Sequence, residues 1–255
     1  MTDMLETLVR DAQRTVGSGY YDVVDSFRPG VGLSAALSAH PRFPVIAEVK
    51  LASPSRGSFS IHSPEKLIGS YISGGAAALS VLTEPGAFQG SLDSLRKAVR
   101  SGRPVLMKDF LVSRRQLEAA AAIGAGTVLM IQEVFDFLPL SSRDGLIDLA
   151  HQSGLEVLLE AGSEKTLMEA MKSDADLLGI NQRDLRTFII DKDKGVRLLP
   201  LALQASRPVV VMSGIEERRA VEVLKEMGAS GVLVGGSLSS SKDPEAALGG
   251  LVVPR

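Results

Sequence analysis

The 255-residue sequence predicts an α/β fold, a (β/α)8 TIM barrel with an N-terminal helical extension, on three observations. Short, nearly continuous apolar runs recur eight times, as parallel strands covered on both faces require. The stretches between them carry helical spacing, caps and stops. The runs follow one another at intervals of about 20 to 35 residues, the step of a repeated βα unit.

Residues 1–40 come first, with Leu5, Leu8, Val9 and Ala12 spaced as the apolar face of an amphipathic helix packed onto the barrel. The strands then read VIAEVK from Val45, ALSVL from Ala78, PVLMKD from Pro104, TVLMI from Thr127, EVLLE from Glu156, DLLGI from Asp176, PVVVMS from Pro208 and GVLVG from Gly231. Between them, Ser63 caps a helix with Glu65 in its first turn, and Ser113 caps one that sets Leu117 and Ala121 on one face and stops at Gly124. A third helix, from Glu216, ends at Gly228, and the recurring Gly-Ala before a strand is the stop of each unit. A doubly wound sheet is the architectural alternative, but no G-x-G-x-x-G follows the first strand. Pro and Gly do not gather into a linker, so residues 1–255 read as one domain, 1–40 the extension and 44–255 the barrel.

Charge is nearly balanced, 28 Lys plus Arg against 30 Asp plus Glu, which argues against nucleic acid and favours a small-molecule partner. The absence of cysteine removes disulfides, thiolate metal sites and cysteine nucleophiles. No signal-peptide core and no stretch approaching a membrane span is present, so the expectation is a soluble, cytoplasmic protein.

In a barrel of this kind the active site lies at the C-terminal ends of the strands. Glu48 and Lys50, two apart and therefore on one face, end the first strand; Lys108 ends the third, Glu160 the fifth, Asn181 follows the sixth and Ser213 ends the seventh. Any single pair reads equally well as a buried salt bridge. Several together do not, because each buried ion costs several kcal/mol unless its pairing is excellent, and apolar residues serve stability as well. Ser213-Gly214 and Gly235-Gly236 end strands seven and eight, where glycine lets backbone N–H groups approach an anion and a short helix near Ser237 adds its positive end. Asn181 and Arg183 in GINQRDL suit contacts to substrate and to an anion or carboxylate. Ser239, Ser240 and Ser241 read as a solvated loop, and His40, His62 and His151 as surface or capping residues, which leaves acid–base work to Lys and Glu. No carboxylate/His cluster suggests a metal, and no cofactor is expected.

The ordered motifs IAEVKLASPSRG, GAAALSVLTEPGAFQGSLDSL, PVLMKDF, LEVLLE, GINQRDL, MSGI and LVGGSL resemble the indole-3-glycerol-phosphate synthase family, from about Pro44 to the end. The resemblance implies a carboxy-lyase of tryptophan biosynthesis acting on 1-(2-carboxyphenylamino)-1-deoxyribulose 5-phosphate by ring closure, decarboxylation and dehydration. It implies Lys108 as the acid of condensation, Glu160 as the acid–base group of dehydration, Glu48 as a further catalytic carboxylate, and Lys50 and Asn181 as groups that place and polarise substrate. Ser53, Phe88, Phe110 and Leu129 would bind the organic part, with Ser213, Gly214, Gly235 and Gly236 cradling phosphate. It also implies a monomer or weak homo-oligomer, open to association with other tryptophan-pathway enzymes.

Leu51 and Met107 stand where many relatives have Arg, and strand parity turns both toward the helix layer; Gly236 leaves its phosphate contact to backbone. Residues 1–40 match least, in a region that covers the barrel mouth in the family. Two other readings are weaker. A phosphoribosylanthranilate isomerase would use a cysteine base, and a non-catalytic scaffold would have no use for both Lys108 and Glu160.

Overall fold

Every apolar run forms a strand, and its residues alternate between two hydrophobic layers. The computed structural model describes residues 3–138 and 142–255. Its barrel strands are β1 (Val45–Val49), β2 (Ala78–Leu82), β3 (Val105–Lys108), β4 (Thr127–Ile131), β5 (Glu156–Ala161), β6 (Leu177–Asn181), β7 (Val209–Met212) and β8 (Gly231–Val234). Each pairs in parallel with the next, and β8 returns to β1, with Val45 opposite Val232. Closure rules out the doubly wound alternative. Ile46, Leu106, Leu129, Leu158 and Val210 fill the interior, while Ala47, Met107, Val128, Val157 and Val211 meet the helices. Met107 and the half-buried Leu51 thus lie in the helix layer, on the side that parity assigns.

The helices are α1 (Met4–Gly17), α2 (Leu33–Ala39), α3 (Pro64–Ser73), α4 (Leu92–Arg100), α5 (Arg114–Ile123), α6 (Ser142–Gln152), α7 (Glu164–Ala170), α8 (Lys194–Ala202), α9 (Arg218–Glu226), α10 (Gly236–Ser239) and α11 (Pro244–Leu251). Ser63 caps α3 through the Lys66 N–H, and Ser113 and Gln116 close a capping box on α5. Gly75, Gly124 and Gly228 stop α3, α5 and α9 at φ of +93°, +101° and +98°, the left-handed conformation that lets each helix turn back into a strand. α9 starts at Arg218 rather than Glu216, because Glu217 is extended and serves as the N-cap.

Residues 3–40 embrace both ends of the barrel. α1 buries Leu5, Leu8, Val9 and Ala12, the face its spacing predicts, in one cluster with Phe88, Phe110 and Val134 near the C-terminal rim. α2 closes the opposite end with Leu33 and Leu37. Between them the chain descends along α5, donating Phe27 N–H to the Ala122 carbonyl at 2.8 Å. Among the described residues, no helix is long and apolar enough to cross a membrane.

Candidate active site

At the C-terminal end of the barrel lies a cavity of about 360 Å³, within the size range of small-molecule sites. Every site residue singled out in the sequence lines it: Glu48, Lys50, Lys108, Glu160 and Asn181; Ser53, Phe88, Phe110, Leu129 and Arg183; Ser213, Gly214, Gly235 and Gly236. Strand parity brings Glu48, Lys108, Leu129, Glu160 and Asn181 together, since the inward positions toward the end of each strand open onto the same space, and the loops that follow the strands supply the rest. His40, His62 and His151 lie elsewhere; His62 bonds the Ser241 carbonyl and His151 the Asp176 carboxylate.

Charged groups form a chain across the floor. Glu48 stands 3.6 Å from Lys50 Nζ and 3.8 Å from Lys108 Nζ, and Lys108 Nζ is 3.5 Å from Glu160 Oε2. Asn181 Nδ2 donates to Glu160 Oε1 at 2.5 Å, while the buried Glu160 Oε2 has no hydrogen-bond partner among the described residues beyond its ion pair with Lys108. The two lysines diverge. Burial opposes the charge of Lys108, but Glu160 and Glu48 together outweigh it and hold the ammonium above the ordinary lysine value. Burial wins at Lys50, whose pKa is lowered despite Glu48, with Lys108 and Arg183 pushing the same way as burial.

One wall is aromatic. Phe88 and Phe110 pack with ring centroids 5.9 Å apart, and Lys50 Nζ lies 5.1 Å from the Phe88 centroid. Glu84 shapes the loop that presents Phe88, accepting the Gly86 and Phe88 N–H groups at 2.7 and 2.8 Å. On the opposite side the strand ends turn sharply. Ser213 and Gly214 have φ of +70° and +71°, and Gln182 holds the strained Ser213 by donating to its carbonyl at 2.6 Å. A Cβ on Gly235 would sit 2.3 Å from Glu48 Oε1, so the bare backbone there is what leaves room for the carboxylate. α10 begins at Gly236, its N-terminus on the cavity.

One result overturns the sequence reading and two go beyond it. Ser239 is not in a solvated loop: it is fully buried, donates to the Glu48 carbonyl at 3.1 Å and bonds the Tyr71 hydroxyl at 2.9 Å, pinning α10 to the end of β1. Among the described residues, none of residues 3–40 lines the cavity; the extension backs its walls instead. Arg56, Phe59, Phe188 and Ile190 line the cavity and were not singled out. Arg56 stacks over Phe59 at 4.8 Å and adds to the burial that lowers the Arg183 guanidinium, so two cations face one space. Arg56 belongs to the IAEVKLASPSRG motif, and a basic residue just past the first strand was the available signal.

Inward-facing lysines and carboxylates at the open end of a (β/α)8 barrel put this chain among the barrel enzymes that work by acid–base chemistry. A family model described as indole-3-glycerol phosphate synthase matches residues 8–251. The chain is 41% identical over 221 residues to an indole-3-glycerol phosphate synthase of Mycolicibacterium gilvum (strain PYR-GCK), covering 86% of this chain and 79% of that one. It is 39% identical over 216 residues to one from Sulfurimonas denitrificans (strain ATCC 33889 / DSM 1251), covering 83% and 81%. It belongs to the indole-3-glycerol phosphate synthase family, carboxy-lyases of tryptophan biosynthesis. Among solved structures, a 3-hexulose-6-phosphate synthase aligns with TM-score 0.61 at 15% identity, over 82% of this chain and 97% of that one, a likeness of fold alone.

Proposed function

We propose that this chain, acting as one domain, converts 1-(2-carboxyphenylamino)-1-deoxyribulose 5-phosphate to indole-3-glycerol phosphate through Lys108. The observation that carries the proposal is Lys108 Nζ within 4 Å of both Glu48 and Glu160 on the floor of a cavity with an aromatic wall and a glycine-lined rim. An ammonium held above the ordinary lysine value stays protonated at neutral pH and so has a proton to give. It protonates the ribulose carbonyl oxygen as the ring carbon bearing the carboxylate bonds to the carbonyl carbon. Breaking the bond to the carboxylate then expels carbon dioxide and restores the ring. Loss of the hydroxyl as water completes the indole, with Glu160 moving the proton of that step and Asn181 orienting Glu160.

Glu48 balances the two ammoniums, and Lys50 and Arg183 meet substrate anions. Phe88, Phe110 and Leu129 hold the aromatic ring, and Ser53 closes over it. Ser213, Gly214, Gly235 and Gly236 take the phosphate on backbone N–H groups, with Arg56 reaching from the β1 loop toward Gly236. The same reading places the enzyme in the cytoplasm as a monomer or weak homo-oligomer, open to association with other pathway enzymes. The test is an assay of purified protein with the carboxyphenylamino substrate and no added metal, reading indole fluorescence. Tight binding without turnover would sink the enzyme reading and leave a binding protein.

A further inference from the structure

Asp109 stands between two residues that the proposed chemistry uses and has no part in that chemistry itself. Lys108, Asp109 and Phe110 all line the cavity, but the Asp109 carboxylate, 2% exposed, is hydrogen-bonded to the elements behind it. Its Oδ2 accepts the Tyr21 hydroxyl at 2.8 Å and the Thr83 hydroxyl, and its Oδ1 accepts the Phe110 N–H at 2.8 Å. The same segment is gripped from both sides. Thr83 N–H donates to the Lys108 carbonyl at 3.1 Å, and the fully buried Gln116 donates to the Phe110 carbonyl at 2.9 Å while accepting the Val112 and Ser113 N–H groups. Tyr20 meets Tyr21 edge-on at 4.9 Å, donates to the Thr83 carbonyl at 3.2 Å and accepts the Leu92 N–H at 3.1 Å.

This arrangement is an expensive way to fill space. No cation contributes to the environment of Asp109 among the leading influences on it; burial pushes its carboxyl up to about 6, and the bonds from Thr83, Tyr21 and Phe110 only partly offset that. Apolar residues in place of the whole cluster, hydroxyls included, would serve stability as well. What the carboxylate adds is geometry, because a swing of this short segment moves the Lys108 ammonium and the Phe110 ring together.

We propose that Asp109 is a positioning residue: its carboxylate couples the N-terminal extension, through Tyr21, to the segment that carries Lys108 and Phe110, and so sets both against Glu48 and Glu160. The proposal rests on the reading of Lys108 as the acid of condensation. It gives residues 18–21, which do not line the cavity, a role in the rate of the reaction.

Tyr21→Phe removes one hydroxyl outside the cavity without altering the Asp109 or Lys108 side chain itself. The expected result is a kcat lowered about ten-fold with KM within about two-fold, in a protein of unchanged circular dichroism. Asp109→Ala should lose about 100-fold. Asp109→Asn should fall between, since its amide oxygen still accepts the Phe110 N–H and the two hydroxyls can turn to accept. Folded Tyr21→Phe and Asp109→Ala enzymes with wild-type kcat would show that the cluster only stabilises, and would overturn the proposal. Equal losses in Asp109→Asn and Asp109→Ala with wild-type kcat in Tyr21→Phe would make Asp109 a proton carrier, and would overturn it too. If Asp109→Ala does not fold, Thr83→Val paired with Tyr21→Phe decides the matter by the same kcat criterion. Wild-type enzyme runs beside them: no indole product from it sinks the functional reading and this proposal with it, whereas an active wild type matched by its variants sinks the proposal alone.

Discussion

Each end of the barrel has a glycine whose missing side chain makes room for a carboxylate, and the two carboxylates do different things. At the N-terminal end, a Cβ on Gly32 would lie 2.2 Å from Glu156 Cδ. Glu156 there accepts the Ser34 N–H at 2.9 Å, beside Thr127 accepting the Leu33 N–H at 2.9 Å, so two residues from the strands cap a helix whose own N-cap has no side chain. At the C-terminal end, a Cβ on Gly235 would lie 2.3 Å from Glu48 Oε1. Among the described residues the Glu48 carboxylate accepts no such backbone bond; it faces two ammoniums at 3.6 and 3.8 Å, near a Glu160 oxygen whose only close partner there is the Lys108 ammonium at 3.5 Å. Polar groups satisfied by backbone hold a structure together. Polar groups left short of partners are available to a substrate.

The sharpest break of this contrast is Lys108→Ala, which should abolish condensation, about 1,000-fold or more in kcat, while circular dichroism shows an intact fold. Near-normal turnover would refute the role. Gly235→Ala should come next. Its methyl displaces Glu48, so kcat/KM should fall about 10- to 100-fold with little change in denaturation midpoint; an unchanged kcat/KM would mean that Glu48 is not needed where it stands. Gly32→Ala makes the matching change at the other end and should do the reverse. Disturbing the Glu156 cap costs about 1 kcal/mol of stability, read by urea denaturation, with kcat per folded molecule kept. Lost activity in that folded variant would erase the distinction between the ends.

The smallest effect is a pH shift. Burial lowers the Lys50 pKa, so Lys50 loses its proton at a lower pH than an ordinary lysine, while Lys108, raised by its carboxylates, keeps its proton there. Substrate affinity should therefore weaken on the alkaline side through Lys50. Lys50→Arg, whose guanidinium does not titrate in this range, should move that limb upward. An unmoved limb would assign it to another group.

Much of this was legible in the residues themselves. Parity alone put Glu48, Lys50, Lys108 and Glu160 on the inside and Met107 on the outside, because alternation along a strand is a local rule. The reading of Ser239 failed for the opposite reason. A run of three serines looks solvated until α10 folds back on β1 and buries the first of them against Glu48 and Tyr71. The clamp on Asp109 was equally invisible, since Tyr21 lies 88 residues away and no local pattern joins them.

The sequence by itself determined the strands, their inward faces and the gathering of charged strand ends at one rim, all consequences of short-range periodicity and chain order. Only the tertiary structure decided how those charges divide. Lys108 sits between two carboxylates and keeps its proton, Lys50 is buried beside one and holds its proton less tightly, and the Tyr21 hydroxyl of the N-terminal extension bonds Asp109 in a segment that Thr83 and Gln116 also hold. Burial and distance set those outcomes, and both arise only when the barrel closes.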